Sequence, residues 1–499
     1  MKILRLGGVA LVLMSAFEFF STKAFAANMN LDQYIEQVRN KNQAYQGAQL
    51  RSQGAKERVG EAGLLTSPNL FWNSQWAMDE AQKMNPSAQG TKGFYQTHQL
   101  GVSQQFGFGL TSRLYYNLNY TSLTNVSSAF VPYPSVYEGK PVIELSMPLW
   151  RNWLGSELRG NQEAIKAQAE AAQYSESFTS KIVIAEAEGA YWRLALARQN
   201  KKLQTESLER SQKLRDWSAR RAREGLGDRS DQLQAEGAWK LRSLETQSAI
   251  DEERQAALMF NSVRGINSDK VSEELEGLPD SKNYKFVLPQ RGQLRDDVKA
   301  AQASAQASAA VAEAGVEKNK PNLEVYTSLA YNGRDVQYPD AIKNSTKSDY
   351  PTTAIGVRFM MPLDLGTLSD NRDGYRKEAA GSELRYQRRL FEQERDWNDL
   401  EQKFKEATER LKLAESFEEI QREKSQYERA KHNRGRTTTY MVLQFEQDYA
   451  LAQSTRLRIQ AEIMNLIAQM KTYSNVSSDF QSTVVPLKHE ELQARGGTL

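Results

Sequence analysis

The residue types that perform catalysis or hold metal ions are few and widely spaced in this chain of 499 residues. It has no cysteine, and its three histidines, His98, His432 and His489, lie far apart in the sequence. A structural or catalytic metal site needs several such ligands together, and the sequence has neither a glycine-rich phosphate loop nor a nucleophile beside a base. The sequence therefore predicts that the protein is not an enzyme and that it has no cofactor and no metal site.

Positive charge is concentrated around two glycines instead. The basic residues near them are Arg220, Arg221, Arg223 and Arg229 around Gly225, and Arg429, Lys431, Arg434 and Arg436 around Gly435. These clusters are either a surface for gating or for docking of a partner, or solvated helix ends at which the helix dipole favours cations. The formal net charge of the whole chain is +3, which gives no argument for a nucleic-acid partner.

The distribution of prolines indicates which elements position these glycines. None of the thirteen prolines lies between Pro148 and Pro279 or between Pro362 and Pro486. Because proline interrupts the interior of a helix, both intervals can form very long helices, and the segment 156–222 would extend about 100 Å. The predicted helices cover about 31–65, 156–222, 228–263, 292–319, 369–432 and 438–474.

Two of these helices carry apolar residues at alternating spacings of three and four. The two sets are Trp397, Leu400, Phe404, Ala407, Leu411 and Ala414, and Val183, Ala187, Ala190, Leu194 and Ala197. This heptad spacing predicts that the long helices pack side by side. An ordinary soluble coiled coil would explain the helices, but it would not explain the strands.

Between the helical intervals, apolar and polar residues alternate with a period of two. The predicted strands are 70–78, 97–106, 111–121, 141–149, 323–331 and 355–361. Such strands have one apolar and one polar face, as in an outer-membrane barrel whose apolar face contacts lipid. The alternative is a soluble β-sandwich that buries the apolar face. Six strands cannot close a barrel with a lumen, so a barrel needs several copies of the chain.

Four tryptophans, Trp72, Trp76, Trp150 and Trp153, lie near the ends of predicted strands. Tryptophan is enriched at membrane–water interfaces. We interpret these residues as interfacial anchors, with packing in a core as the alternative.

Residues 1–26 have the features of a secretory signal peptide. Lys2 and Arg5 precede a short apolar stretch, 9–17, and the segment 24–26 is a cleavage site of the A-x-A type. A membrane anchor is the weaker alternative because the apolar stretch is too short to span a bilayer. We expect the mature chain to be exported.

Three landmarks occur twice and in the same order. They are Glu61-Ala62-Gly63 before Pro68-Asn69-Leu70, and Glu313-Ala314-Gly315 before Pro321-Asn322-Leu323; Met147-Pro148-Leu149 and Met361-Pro362-Leu363; and Gly225 and Gly435, each followed eight residues later by a leucine, Leu233 or Leu443. Such a duplication predicts two structural repeats.

The repeats define the predicted domains. The first repeat is 27–264, with strands within 69–150 and a turn between long helices at 223–228. A linker, 265–291, leads to the second repeat, 292–475, with strands within 322–363 and a turn at 433–437. A C-terminal tail, 476–499, follows.

These duplicated landmarks resemble those of the TolC family of outer-membrane efflux proteins. The family's glycine turn, followed by a leucine on the returning helix, resembles Arg223-Glu224-Gly225 with Leu233, and Arg434-Gly435 with Leu443. The resemblance covers about residues 30–475. It implies a mixed α and β membrane protein, in which a trimeric transmembrane β-barrel continues into a long α-helical tunnel in the periplasm of a Gram-negative bacterium.

The resemblance also implies a function and partners. We expect a passive exit duct for small molecules across the periplasm and outer membrane, which an inner-membrane pump energises through a periplasmic adaptor. The expected partners are two further copies in a homotrimer, the adaptor, the pump and outer-membrane lipid. The residues expected to serve gating and docking are Arg223, Gly225, Asp231, Leu233, Arg434, Gly435, Met441, Leu443 and Gln444. Two alternatives are a duct for type I secretion of polypeptides and a non-transporting coiled-coil spacer anchored in the outer membrane.

The chain departs from the family pattern at two places. The family pattern implies four strands per subunit and twelve per trimer, whereas a further hairpin is predicted here at about 97–122; it either joins the barrel, which then has eighteen strands, or lies among the extracellular loops. In the family an acidic residue often follows the second turn glycine by six positions and helps to close the pore. In this chain Met441 occupies that position, and Asp231 occupies the equivalent position after the first turn glycine. The pore at the two turns therefore closes either through Asp231 or through apolar contacts.

Overall fold

The structure is a computed structural model that describes residues 28–280, 283–474 and 484–486. The predicted signal peptide, 1–26, lies outside the described residues. Most of the predicted tail, 476–499, lies outside them as well.

Long helices fill both proline-free intervals. The helices of the described residues are α1 (Leu31–Lys41), α2 (Gln43–Arg58), α3 (Glu61–Leu64), α4 (Pro86–Gln89), α5 (Ser156–Arg223), α6 (Arg229–Val263), α7 (Asp296–Lys318), α8 (Tyr338–Ser345), α9 (Leu365–Asn433) and α10 (Thr439–Lys471). Helices α5 and α9 contain 68 and 69 residues, far more than an average helix. None of the helices in the described part of the chain has the length and apolar character needed to cross a membrane.

The helix predicted over 31–65 is in fact three helices. Asn42 has extended backbone angles, and its side-chain oxygen accepts a hydrogen bond from the Tyr45 backbone N–H at 2.8 Å. Asparagine in this position caps a helix and so begins a new one. The prediction of one continuous helix was wrong because it rested on the absence of proline and on periodicity, neither of which reveals a helix cap.

The strands form one large antiparallel sheet and two small pairs. The strands of the described residues are β1 (Asn28–Met29), β2 (Asn69–Asp79), β3 (Lys92–Gln105), β4 (Thr111–Thr124), β5 (Ser135–Pro148), β6 (Glu274–Leu275), β7 (Tyr284–Phe286), β8 (Asn322–Tyr331), β9 (Gly333–Asp335), β10 (Pro351–Met360) and β11 (Val484–Pro486). The large sheet has the order β10–β8–β5–β4–β3–β2, and β9 pairs with β5. Strands β2 and β10 are its edges.

The two faces of the sheet differ as the alternation predicts. One row across the strands is Leu70, Val102, Leu114, Ile143 and Leu329. Another row, displaced by an odd number of residues and therefore on the opposite face, is Asn73, Gln99, Asn117 and Lys140. The sheet thus has one apolar and one polar face over most of its width.

The hairpin whose position the sequence left open lies inside this sheet. Strand β3 pairs with β2, and β4 pairs with β5, so the β3–β4 hairpin separates β2 from β5. The structure therefore excludes a location of these two strands among the loops.

The chain divides into two compact units, and the first comprises residues 28–38, 190–278 and 418–461 among those described. Its core contains Tyr34, Tyr191 and Phe260, which are fully buried. The rings of Tyr34 and Phe260 stack at a centroid distance of 4.1 Å. The Tyr34 hydroxyl donates to the Phe260 carbonyl at 2.9 Å, which joins α1 to α6.

The second unit comprises residues 39–189, 279–417 and 462–474, with 484–486, apart from the two undescribed gaps. It contains the large sheet and all six predicted heptad residues of α9, among which Trp397, Phe404 and Ala407 are buried. An ion pair crosses the helix packing, since Lys471 Nζ donates to the nearly inaccessible Glu188 carboxylate at 2.7 and 2.9 Å. Small side chains, mostly alanines of α7, fill much of the remaining core and let helices approach closely.

Candidate functional site at the helical turns

The two glycine turns have the same backbone structure. Gly225 and Gly435 have φ values of +73° and +69°. One residue later, the Leu226 N–H donates to the Arg221 carbonyl at 2.9 Å, and the Arg436 N–H donates to the Lys431 carbonyl at 3.0 Å. These are the hydrogen bonds of a Schellman motif, which ends a helix with glycine in the left-handed region. The duplication seen in the sequence is therefore a duplication of turn geometry.

The helices that return from the turns are capped differently. The Asp228 carboxylate accepts from the Ser230 N–H at 3.0 Å and caps α6. At the second turn the Thr438 hydroxyl accepts from the Met441 N–H at 3.4 Å, whereas Thr437 donates its hydroxyl to Glu428. Thr438 therefore caps α10, and the neighbouring Thr437 does not, because its side chain is engaged by the preceding helix α9.

Equivalent residues after the two turns have different surroundings. Leu233 is 58% exposed, whereas Leu443 is half-buried. Asp231 is half-buried, and Met441, at the equivalent position, is exposed. The Gln444 side chain donates to Asp448 on its own helix at 3.0 Å. Equivalent side chains of the two returning helices are therefore packed differently.

The basic residues near the turns divide into engaged and free side chains. The Arg221 guanidinium lies 4.9 Å from the centre of the Trp217 ring and donates to the Leu226 carbonyl at 3.0 Å. Arg223 donates to a carbonyl of its own helix at 3.3 Å. In both clusters some cations are thus engaged by local contacts, since Arg429 and Lys431 pair with Glu446 and Glu428. Arg434 and Arg436 remain exposed to the surroundings.

A cavity of about 340 Å³ lies among α5, α6, α9 and α10 beside the turns. Its apolar lining includes Trp217, Leu241, Val442 and Leu443, and its basic lining includes Arg210, Lys213, Arg220, Arg242 and Arg429. The only carboxylate among its lining residues is Glu446. The charged part of the cavity lining is therefore mainly cationic.

Glu446 is the centre of a group of polar contacts between the helices. One carboxylate oxygen accepts from Arg210 of α5 at 3.0 Å. The other accepts from Ser425 of α9 at 3.0 Å, and Arg429 of α9 also pairs with it. Glu446 itself belongs to α10 and is 9% exposed. One buried carboxylate thus ties three helices together close to the second turn.

His432 makes the second buried contact between helices. Its ring centre lies 4.4 Å from that of Trp217 on α5, and its Nε2 lies 3.5 Å from the Thr439 hydroxyl of α10. Burial lowers the pKa of His432 and the Arg221 charge lowers it further, while Asp231 and Glu428 oppose the shift. His432 is consequently packed as the neutral imidazole.

The lowered pKa predicts a pH dependence of the packing at the turns. Because the folded pKa lies below the unfolded value of about 6.5, the packing is fully stable above pH 6.5 and weakens as the pH falls through that value. Hydrogen exchange of the turn amides, corrected for intrinsic rates, should become faster at pH 5 than at pH 7.5. This pH effect should be largely absent in His432→Gln and unchanged in the control His98→Gln, which alters the sheet; an identical pH dependence in both variants would contradict the role of His432.

Sequence reasoning missed Glu446, His432 and Trp217 as a connected group. Glu446 belongs to the repeated motif Leu443-Gln444-Phe445-Glu446, whose first copy ends in Glu236. Glu236 is exposed. The motif occurs at both positions, but the contacts of Glu446 with other helices, including Arg210 more than two hundred positions away, distinguish the two copies.

The four predicted anchors are all exposed tryptophans. Trp72 and Trp76 lie within β2 on the same face, and Trp76 meets His98 of β3 edge to face at 5.4 Å. Trp150 and Trp153 follow β5, just before α5. Because none of the four is buried in the chain, the alternative of packing in its core is not supported.

The chain is similar over nearly its whole length to solved outer-membrane channels. With the outer-membrane channel OprN it has a TM-score of 0.67 and 16% identity, covering 89% of each chain. With the outer-membrane protein VceC of Vibrio cholerae the TM-score is 0.63 and the identity 14%, covering 89% of this chain and 95% of that one. With the open state of the MtrE outer-membrane channel of Neisseria gonorrhoeae they are 0.61 and 14%, covering 91% of each. No protein-family model and no curated protein matches the sequence.

Likeness at this level of identity concerns the fold, since one fold can host different functions. It confirms the predicted fold class, in which each of two repeats supplies strands and a pair of long helices. The chain has the fold of the TolC-family outer-membrane channels, the family that its duplicated landmarks resemble.

Proposed function

We propose that the protein is the outer-membrane channel of a tripartite export system in a Gram-negative bacterium, a passive exit duct for small molecules. Three copies would form a homotrimer that spans the outer membrane and continues into the periplasm. The observation that carries this proposal is the large sheet, which has an exposed apolar face and two open edges within a fold shared with outer-membrane channels.

The apolar face of the sheet supports contact with lipid. Trp72, Ile355 and Val357 are 73%, 79% and 66% exposed in the chain. Contiguous exposed apolar surface of this kind marks an interaction surface, and on strands that alternate with polar residues it is typical of outer-membrane barrels. Outer-membrane lipid is the partner that this face fits.

The edges of the sheet support assembly from copies of the same chain. All neighbours from β2 to β10 are antiparallel, so the six strands alternate in direction and the two edges run in opposite directions. The β10 edge of one copy can therefore pair with the β2 edge of the next as an antiparallel neighbour. Unpaired strand edges are excluded from lipid, and closure into a ring removes them.

The contacts at the helical turns support a gate in the duct. The Glu446 and His432 contacts hold the helices together. We assign opening to a periplasmic adaptor and an inner-membrane pump. Docking would use the exposed Arg434 and Arg436, with Gly225 and Gly435 keeping the turns tight. The residues Arg223, Asp231, Leu233, Met441, Leu443 and Gln444 complete the proposed gating and docking surface.

Single-channel conductance in a planar bilayer, with the mass of the detergent-extracted protein measured alongside, tests this function. We expect a trimer that gives discrete conductance steps, because closure of the sheet encloses a polar lumen. A monomer, or a trimer that stays silent even after the contacts at the turns are weakened, would contradict the channel and favour a non-transporting spacer.

A further inference from the structure

The internal repeat identifies β3 and β4 as an insertion. Pro68-Asn69-Leu70 opens β2 and Pro321-Asn322-Leu323 opens β8, while Met147-Pro148-Leu149 closes β5 and Met361-Pro362-Leu363 follows β10. Strand β2 therefore corresponds to β8, and β5 corresponds to β10. Strands β8 and β10 are direct neighbours, whereas the β3–β4 hairpin separates β2 from β5.

The inserted hairpin has full-length pairing on both sides. Strand β3 pairs with β2 from Asn69↔Ser103 to Asp79↔Gly93. Strand β4 pairs with β5 from Thr111↔Ser146 to Ser122↔Ser135. The hairpin thus spans the sheet from end to end and displaces β2 by two strand positions.

The hairpin continues both faces of the sheet. On the apolar face, Val102 and Leu114 lie between Leu70 and Ile143 and are 41% and 58% exposed. On the polar face, Gln99 and Asn117 lie between Asn73 and Lys140. A hairpin among polar loops would not have a continuous apolar face. The alternation of apolar and polar residues in this hairpin is therefore that of a strand pair within the sheet.

Side chains on the polar face fasten the hairpin to both neighbours. Tyr115 of β4 donates its hydroxyl to Glu144 of β5 at 2.7 Å, and its ring meets Phe71 of β2 at 5.9 Å. Gly101 of β3 lies between the paired positions of Phe71 and Tyr115, and a side-chain carbon there would collide with Tyr115. The absence of a side chain at Gly101 lets the two rings meet across β3.

The turn of the hairpin is seated against the segment that precedes α5. Gly109 has φ +95°, and a Cβ at this position would lie 3.1 Å from the Asn152 carbonyl oxygen and from the Gly155 nitrogen. Gly155 has φ +76°. These close backbone approaches fix the hairpin at the end of the sheet where the long helix begins.

We propose that the β3–β4 hairpin widens the outer-membrane pore, so that the duct admits bulky, hydrated polar solutes that the pore without it would exclude. This inference rests on the trimeric channel proposed above. Three copies of six strands make an eighteen-stranded barrel, against twelve without the hairpin. Barrel diameter grows roughly in proportion to strand number, so the pore is about 1.5 times wider. Amide and charged side chains of the hairpin, including Gln99, Asn117 and Arg113, would line the wider lumen.

Thiol crosslinking in the full-length protein tests the position of the hairpin, because the chain has no natural cysteine. In Leu114→Cys with Ile143→Cys, a short bifunctional thiol reagent should join the two paired positions. In Leu70→Cys with Ile143→Cys it should fail within one chain, since three strand spacings, about 14 Å, separate them. Ile143→Cys with Leu329→Cys, paired independently of the hairpin, is the positive control. Efficient linkage of positions 70 and 143 within one chain, without linkage of 114 to 143, would overturn the inference.

Polymer exclusion measures the width itself. Polyethylene glycols of increasing size, added at the outer face of the bilayer, should enter the wild-type pore up to a larger size than the pore of a variant lacking residues 92–124. The deletion keeps β2 and β5 antiparallel, and the barrel cross-section should fall about twofold. An unchanged cut-off in a conducting deletion trimer would overturn the inference. If the deletion variant does not fold, the crosslinking result decides.

The two proposals fail in different ways. A conducting wild-type trimer in which positions 70 and 143 crosslink would contradict the wide pore and leave the channel function standing. The expected crosslinks in a protein that never conducts would contradict the channel function instead.

Discussion

Replacing Glu446 with glutamine should loosen the packing of the helices at the turns more than the loss of any exposed charge there. The change preserves the size of the side chain but removes the anion that Arg210 and Arg429 share. Removing one partner of a buried ion pair costs about 3–5 kcal/mol, and we expect the lower end because the Arg429 side chain is 39% exposed. The thermal unfolding midpoint should fall, and conductance at neutral pH should rise because the gate opens more easily.

Glu236→Gln is the matched control for this prediction. Glu236 occupies the same position in the first copy of the motif and is exposed, so its replacement should change stability by no more than about 0.5 kcal/mol. Hydrogen exchange of the turn amides should separate the two variants. Equal exchange and equal conductance in both would show that Glu446 does not hold the gate.

Replacing Phe260 with alanine should produce the largest loss of stability in the first unit. Phe260 is fully buried, stacks on Tyr34 and lies 4.9 Å below the Arg264 guanidinium. Truncation of a buried phenylalanine to alanine costs about 3–5 kcal/mol, since it removes buried apolar surface and leaves a cavity. Denaturant unfolding followed by circular dichroism should show a lower midpoint.

Leu258→Ala provides the comparison on the same helix. Leu258 is 47% exposed, so we expect its loss to cost about 1 kcal/mol or less. If Phe260→Ala were no more destabilising than Leu258→Ala, the aromatic cluster would not be the core that anchors α1 to α6.

The element types were largely predictable because they depend on local patterns. The absence of proline between Pro148 and Pro279 correctly indicated the long helices α5 and α6, since one proline inside a helix is enough to break it. Alternation with period two located the strands to within a few residues, apart from the starts of two strands: β3 begins at Lys92 rather than near Thr97, and β5 begins at Ser135 rather than near Pro141. The break at Asn42 was missed because one capping residue gives a weaker signal than a long periodic segment.

The proposed gating residues show which features a local sequence pattern can predict and which it cannot. The sequence marked both glycines, and the structure gives both the same turn, because a left-handed residue that ends a helix is a local requirement. Their gating role and the signal peptide remain predictions. The sequence treated His432 as isolated, yet its ring packs on Trp217, more than two hundred residues earlier.

The sequence alone determined the two repeats, the long helices, the alternating strands and the resemblance to outer-membrane channels, because each of these depends on residues that are close together in the chain. Only the tertiary structure decided that the hairpin lies between β2 and β5, since the order of strands depends on pairing between distant segments. It also decided which copy of a repeated motif is buried. Glu446 and Glu236 end the same motif, but only Glu446 meets Arg210 across the helix packing, and that contact depends on how distant parts of the chain assemble.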